Sequence, residues 1–405
     1  MNADAKALAA SFDLEKLTPE FYDNPYPTYR ALRENEPVKR LRSGTVFLTR
    51  YDDLVTTYKN TKSFSSDKKR EFAPKYGDTP LYEHHTTSLV FNDPPAHTRV
   101  RRLIMGALSP RAIASMEGDL IKLVDGLLDA IAAKGACELI EDFAASIPIE
   151  VIGNLLDVPH EERGPLRDWS LAILGALEPV VSTEAATRGN KAVADFLAYL
   201  QTLVARRRAK PGNPERDVLT RLIQGEENGE RLTEKELLHN CIFLLNAGHE
   251  TTTNLIGNGL VALDRHPDQK QRLTENPDMK TAVEEMLRYE SSNQLGNRMT
   301  TERVELGGVM LEAGTSVTLC IGAANRDPAQ FPDPERFDIA RTPNRHLAFA
   351  TGAHQCAGMA LARLEGAIAI SRFLARFPNY AVSGQPVRGG RVRFRGFLSV
   401  PCALR

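Results

Sequence analysis

Long apolar runs are missing from this chain of 405 residues. No window supplies the roughly 18 or more uninterrupted apolar residues a membrane span requires, and the N-terminal stretch Met1-Asn2-Ala3-Asp4-Ala5-Lys6 is no exception. A membrane-spanning protein is therefore not expected. An excess of charge of either sign is missing too: 51 basic side chains meet 52 acidic ones, leaving a net charge of -1. No global field argues for nucleic acid or an anionic membrane surface as partner. The cysteines are few, odd in number and scattered, at Cys137, Cys241, Cys320, Cys356 and Cys402, which fits a reducing, cytoplasmic setting better than a disulfide framework. There is no HExxH, no paired CxxC, no phosphate-binding glycine-lysine loop and no nucleophile elbow, so the common hydrolase, zinc and nucleotide classes have little support. His84-His85 has no companion at metal-ligand spacing and is expected at the surface.

What is present is a hydrophobic content of 42%, enough for a large core. Val38-Lys39-Arg40-Leu41 and Thr45-Val46-Phe47-Leu48-Thr49 flank Arg42-Ser43-Gly44 as a hairpin, and Arg303 to Leu306 and Val309 to Leu311 flank Gly307-Gly308 as a second. Residues 64–95 mix charge, proline and glycine without periodicity and read as a long loop, of the kind that is functional or mobile. Helical patterns dominate from Pro95 to about Tyr289, and helix and short strand signals mix beyond it. With no repeat, low-complexity tract or linker, residues 1–405 read as one mainly α domain with small β-sheets.

Cys356 is the most informative residue. It lies in Phe349-Ala350-Thr351-Gly352-Ala353-His354-Gln355-Cys356-Ala357-Gly358, immediately before the helix-forming run Met359 to Glu365. Amides at a helix start and the positive end of its dipole favour an anionic sulfur, so the thiol is expected to lose its proton readily and to suit a metal. Gly352 and Gly358 remove side chains where a flat cofactor could approach, and Phe349 can pack over the sulfur.

A second departure from local rules sits inside a long helix. Thr233-Glu234-Lys235-Glu236 forms a capping box and no proline follows until Pro267, so a helix of about 30 residues, some 45 Å long, is expected. Its middle reads Leu244-Leu245-Asn246-Ala247-Gly248-His249-Glu250-Thr251-Thr252-Thr253, where glycine, a carboxylate and three β-branched hydroxyls oppose helix propensity. Such violations concentrate at working sites. The bland alternative is threonines bonding back to preceding carbonyls.

These segments resemble the cysteine loop and distal helix of the cytochrome P-450 superfamily, whose loop runs Phe, Gly, x, Gly, x, His or Arg, x, Cys, x, Gly. Ala350 stands where the family has its first glycine, which alters the turn before Thr351. The resemblance implies that fold, with a long central helix over heme b and Cys356 as the axial ligand of its iron. It places Ala247 and Gly248 along the oxygen pocket. Thr251 would donate a hydrogen bond to dioxygen, and Glu250 would relay solvent protons so that the O–O bond breaks heterolytically. His97, Arg101, Arg298 and His354 match propionate positions, with Phe349 and Gly358 beside the heme. Glu285-Met286-Leu287-Arg288 and Phe331-Pro332-Asp333-Pro334-Glu335-Arg336-Phe337 resemble paired structural motifs, giving a buried network of Glu285, Arg288 and Arg336 that holds the cysteine loop. Leu244, Leu295 and Phe397 would touch substrate, with the 64–95 loop, residues 165–185 and the polar Ser292, Asn293 and Gln294.

The activity implied is monooxygenation of a small, mainly apolar organic molecule by O2, with electrons from NAD(P)H through a ferredoxin and its reductase. Arg99, Arg102 and Arg363 are the candidates for docking that donor. A peroxide-driven peroxygenase and a non-catalytic heme-binding or ligand-sensing protein are the alternatives. The first has no need of Glu250 and Thr251; the second is disfavoured because no signalling or DNA-binding domain is appended.

Overall fold

The capping box at Thr233 forms as its sequence requires: the Thr233 hydroxyl accepts from the Glu236 amide, and the Glu236 carboxylate accepts from the Thr233 amide. From it a single helix runs over Glu234–Arg265 and stops at His266, where Pro267 opens the next one. A computed structural model describes residues 3–214, 217–225 and 230–404, and this helix is the axis of its largest core cluster. Most of its length from Leu237 to Leu263 is buried, against Ser146–Leu155, Leu166–Gly175, Thr183–Ala209 and Met359–Arg376. A helix enclosed on so many sides presents polar residues only where something other than solvent meets them.

The main sheet has five strands in the order Val38–Arg40, Val46–Leu48, Ser316–Cys320, Leu295–Thr300 and Phe64–Ser65. Its first pair is the expected hairpin, with Val38 opposite Leu48; the pairing of Val46 with Val317 is parallel, and Leu295 faces Cys320 in an antiparallel ladder. The sheet thus joins the N-terminal segment to residues 295–320. The second expected hairpin also forms, over Val304–Leu306 and Val309–Leu311. No helix among the described residues is long and apolar enough to cross a membrane.

Two expectations fail in one segment. Residues 64–95 are not a continuous loop, for they contain helices at Lys69–Tyr76 and Pro80–Thr87. The second has Thr79 as its N-cap, accepting from the Tyr82 amide, and Pro80 at its first position, a start signal of the usual kind. His84 and His85 lie on it and are buried, 2% and 1% exposed, rather than at the surface. They pack at 5.2 Å from each other, with His84 5.6 Å from His239 on the central helix and His85 beside Phe72, Tyr76 and Phe91.

Candidate active site

Cys356 is held by its own loop. Its amide donates to the Phe349 carbonyl at 2.9 Å, the Gln355 amide to Gly352 at 3.1 Å, and the Ala350 amide to Leu347 at 2.8 Å. Gly352 has φ +75, and a Cβ there would lie 2.7 Å from the Tyr58 carbonyl, so glycine is required twice over. Ala350, in the position of the missing glycine, adopts φ +51, a left-handed conformation that costs a residue with a Cβ roughly 1–2 kcal/mol. The turn is therefore kept, under strain. Cys356 lies deep in the molecule, yet its surface is open because it faces an internal cavity of about 580 Å³. The expectation of a readily ionised thiol is corrected: burial pushes its pKa up, outweighing the Gly358 amide and the Arg101 and Arg363 charges that favour the anion. The helix start and the two arginines are arranged for a thiolate, which a metal ion would complete.

The central helix lines the same cavity with Leu244, Asn246, Ala247, Gly248, Thr251 and Thr252. A Cβ at Gly248 would lie 2.4 Å from the Ile152 Cδ1, so Ile152 would have to turn aside. The Thr251 hydroxyl donates to the Ala247 carbonyl at 2.6 Å, the back-bond to the preceding turn, while its side chain still borders the cavity. Glu250 points elsewhere. It is buried and absent from the cavity wall, with both carboxylate oxygens 2.7 Å from Arg391 of the C-terminal segment, which also donates to the Leu171 carbonyl. Burial pushes Glu250 up to about 7, against the pull of Arg391. No sequence signal paired these two residues, which are 141 positions apart.

Along another part of the cavity the expected basic residues converge. His97 and His354 stack with ring centroids 3.9 Å apart, and Arg298 packs on the Tyr58 ring at 5.1 Å. Arg101 donates to the Gln355 carbonyl at 2.6 Å. Both nitrogens of His97, the Nε of Arg298 and the Nε2 of His354 are buried without partners among the described residues. Burial holds both imidazoles below their usual pKa, His354 at about 2, so they are neutral donors beside two guanidiniums. Unpaired buried donors are costly. This set would fit the two carboxylates of a heme, and Cys356, the Ala247 to Thr251 turn, Phe349 and Gly358 line the same cavity.

Leu244 and Leu295 border the cavity as expected, with Ser292 and Asn293, whereas Gln294 turns away to donate to the Ser291 carbonyl. Phe397 is corrected: it is 6% exposed in the core, with Arg388 over its ring at 3.9 Å, and Phe394 takes the cavity position. Strand pairing around the isolated bridge Asn293–Phe394 sets that register, which composition does not reveal.

The buried network also has a different third member. Glu285 and Arg288 pair through two bonds of 2.7 and 2.8 Å with no exposure of either side chain, but the second guanidinium on Glu285 belongs to Arg341, at 3.1 Å. Arg336 is exposed and supplies only its carbonyl, which accepts from Arg288 and Arg341 at 3.0 Å each. The Asp338 amide and Asn344 also donate to Glu285. Asn325, whose carbonyl accepts from Arg288, takes the Leu347 amide on its side chain, so the network reaches the cysteine loop. Of the docking candidates, Arg99 is bound to Glu236, and Arg363 to Glu284 at 2.6 and 2.9 Å while stacking on Phe349. Arg102 is partly buried.

The family model for cytochrome P450 matches residues 169–387. A biotin biosynthesis cytochrome P450 of Bacillus subtilis is 38% identical over 89% of this chain and 91% of its own length. A vitamin D(3) 25-hydroxylase of Pseudonocardia autotrophica is 38% identical over 90% and 89%. The crystal structure of P450BioI in complex with hexadec-9Z-enoic acid ligated acyl carrier protein superposes with a TM-score of 0.90, at 36% identity, covering 95% of this chain and all of that one.

Proposed function

The chain belongs to the cytochrome P450 family, and on that premise we propose which of its residues carry the family's reaction. It is a heme-thiolate monooxygenase, an oxidoreductase with heme b as cofactor that puts one atom of O2 into an organic substrate. Bound heme supplies the oxygen activation, and the thiolate ligand's electron donation favours O–O cleavage.

Cys356 would hold the heme iron through its thiolate, and His97, Arg101, Arg298 and His354 would cradle the two propionates. The observation that carries it is the placement of Cys356 and this cradle on one cavity with the Ala247 to Thr251 turn. Thr251 holds a proton at its hydroxyl on the cavity wall. Glu250, at a pKa of about 7, exchanges protons near neutrality, and to pass one to Thr251 its carboxylate must release Arg391. Leu244, Leu295 and Phe394 orient substrate and exclude water. A relative named for vitamin D(3) hydroxylation and a neighbour holding a fatty acyl chain support a largely apolar substrate body. Residues 1–405 act as one domain, supported by a sheet that draws strands from residues 38–65 and 295–320. Five unpaired cysteines suit a reducing, cytoplasmic setting, and a ferredoxin-type donor would meet the face around Arg102 and Arg363.

The test is the carbon monoxide difference spectrum of the reduced holoprotein. A strongly red-shifted Soret band, lost in Cys356→Ala, is expected. A band typical of a neutral ligand in the native protein, or one unchanged in Cys356→Ala, overturns the ligand assignment.

A further inference from the structure

Three cations border the cavity besides Arg101 and Arg298 of the heme cradle: Lys68, Lys75 and Arg393. Lys68 is 2% exposed, and its ammonium has one carboxylate partner, Glu71, at 2.6 Å. Arg393 spends its guanidinium on neutral acceptors, the Leu177 and Leu295 carbonyls, each at 2.9 Å, and the Asn297 side chain. Lys75 donates to the Glu178 carbonyl at 2.9 Å, while the Glu178 carboxylate is occupied by the amides of Val392 and Arg393. On the cavity lining outside the cradle three positive charges therefore face two carboxylates, Glu71 and Glu178, while Asp93, off the lining, acts on Arg298 of the cradle. Burial pulls all three cations below their usual pKa, and neighbouring cations lower two of them further: Arg298 and Arg393 at Lys68, and Arg393 and Lys68 at Lys75. The histidines beside them are neutral and offer no counter-charge. Asp13 and Glu15 also border the cavity, but on the N-terminal segment with Leu14, and neither is among the charges acting on these cations.

A second observation is independent of charge. Ser66 and Ser292 also line the cavity, 2% and 5% exposed, and their buried hydroxyls have no partner among the described residues. Their backbones are fixed: the Ser66 amide donates to Asp93 at 2.8 Å, and the Ser292 carbonyl accepts from Arg395 at 2.8 Å. Ser66 thus stands two residues from Lys68, and Ser292 on the chain paired with the Arg393 segment. Spare hydroxyl donors beside an excess of one positive charge form a place for a singly charged oxyanion.

We propose that the substrate carries one carboxylate, held by Lys68 and Arg393 with the Ser66 and Ser292 hydroxyls, while its hydrocarbon body lies on the apolar lining such as Phe72, Leu174 and Leu244. This deepens the function proposed above and rests on it. Charge-assisted hydrogen bonds in a buried site are worth more than those in water, so the acid and its neutral ester are discriminated.

The test is titration of the holoenzyme with dodecanoate, 3-phenylpropanoate and 4-ethylbenzoate, each against its methyl ester, read by the substrate-induced Soret shift. At least one acid should bind about tenfold or more tightly than its ester. That preference, read as the ratio of acid to ester affinity, should collapse in Lys68→Met and Arg393→Gln. If every acid binds no better than its ester, or the preference survives in both variants, the proposal is overturned. The acid-ester comparison needs only the native protein, so a variant that does not fold leaves it decisive. The carbon monoxide spectrum separates the two layers: a thiolate spectrum without acid preference sinks this proposal alone, and a missing thiolate spectrum sinks the reading beneath it.

Discussion

Buried charge is handled in opposite ways on the two sides of the cavity. Behind the cysteine loop, Glu285 receives two bonds from Arg288 and further ones from Arg341, Asn344 and the Asp338 amide, while both guanidiniums spend their remaining donors on carbonyls. On the distal side Glu250 has one guanidinium, Lys68 one carboxylate, and His85, Ser66 and Ser292 carry buried atoms with no partner. A buried ion surrounded by fixed partners has nowhere else to go and acts as a scaffold. One with a single partner can exchange it, for a proton at Glu250 or for a ligand at Lys68. The first arrangement keeps the cysteine loop in place, and the second leaves latitude on the cavity side.

The comparison breaks most visibly at the scaffold. Glu285→Gln or Arg341→Ala should destabilise the protein by about 3–5 kcal/mol in a reversible denaturant titration, since each leaves a buried partner uncompensated. Arg336→Ala should change stability by less than about 0.5 kcal/mol, because its carbonyl, and not its side chain, is used. Equal losses in all three would return Arg336 to the network.

A smaller effect is expected on the other side. Thr251→Ala removes the hydroxyl that borders the cavity and leaves the fold and heme binding intact. Product formed per NAD(P)H should fall about tenfold with a matching rise in hydrogen peroxide. Unchanged coupling of reductant to product would remove Thr251 from the proton path.

A further contrast lies in pH dependence. His84, His85 and His239 have pKa values depressed by burial, His85 to about 3 and His239 to about 4. Below the ordinary histidine value the unfolded chain takes up protons that the folded chain refuses. Stability should therefore fall as the pH drops from about 6.5 toward 4, each histidine adding about 1.4 kcal/mol per pH unit. Replacing His85 by Gln should flatten the slope by one such increment in melts taken across that range. An unaltered slope would mean that His85 is protonated in the folded state.

Legibility differed residue by residue. The capping box of the central helix, both early hairpins and the cysteine loop were readable because each depends on residues within a few positions of one another. Local chemistry sufficed there. Arg341 was not readable: the stretch from Arg336 to Arg345 holds several arginines, and which one meets Glu285 depends on how the chain folds back around Asp333. Phe394 rather than Phe397 meets the cavity because strand register, which is not legible in the sequence, separates these two aromatic residues of the C-terminal segment. The paired histidines looked solvated because their segment is polar, and only the helix at Pro80–Thr87 turns them inward.

The sequence by itself determined the cysteine loop, the capping box of the central helix and the disturbed turn within that helix, because short-range backbone chemistry demands those residue types at those spacings. Tertiary structure alone decided which charges meet: Glu250 with Arg391, Glu285 with Arg341, and Lys68, Lys75 and Arg393 on one wall with a positive charge to spare. Coulomb and desolvation energies depend on distance in space and on burial, and neither is written in the separation of residues along a chain.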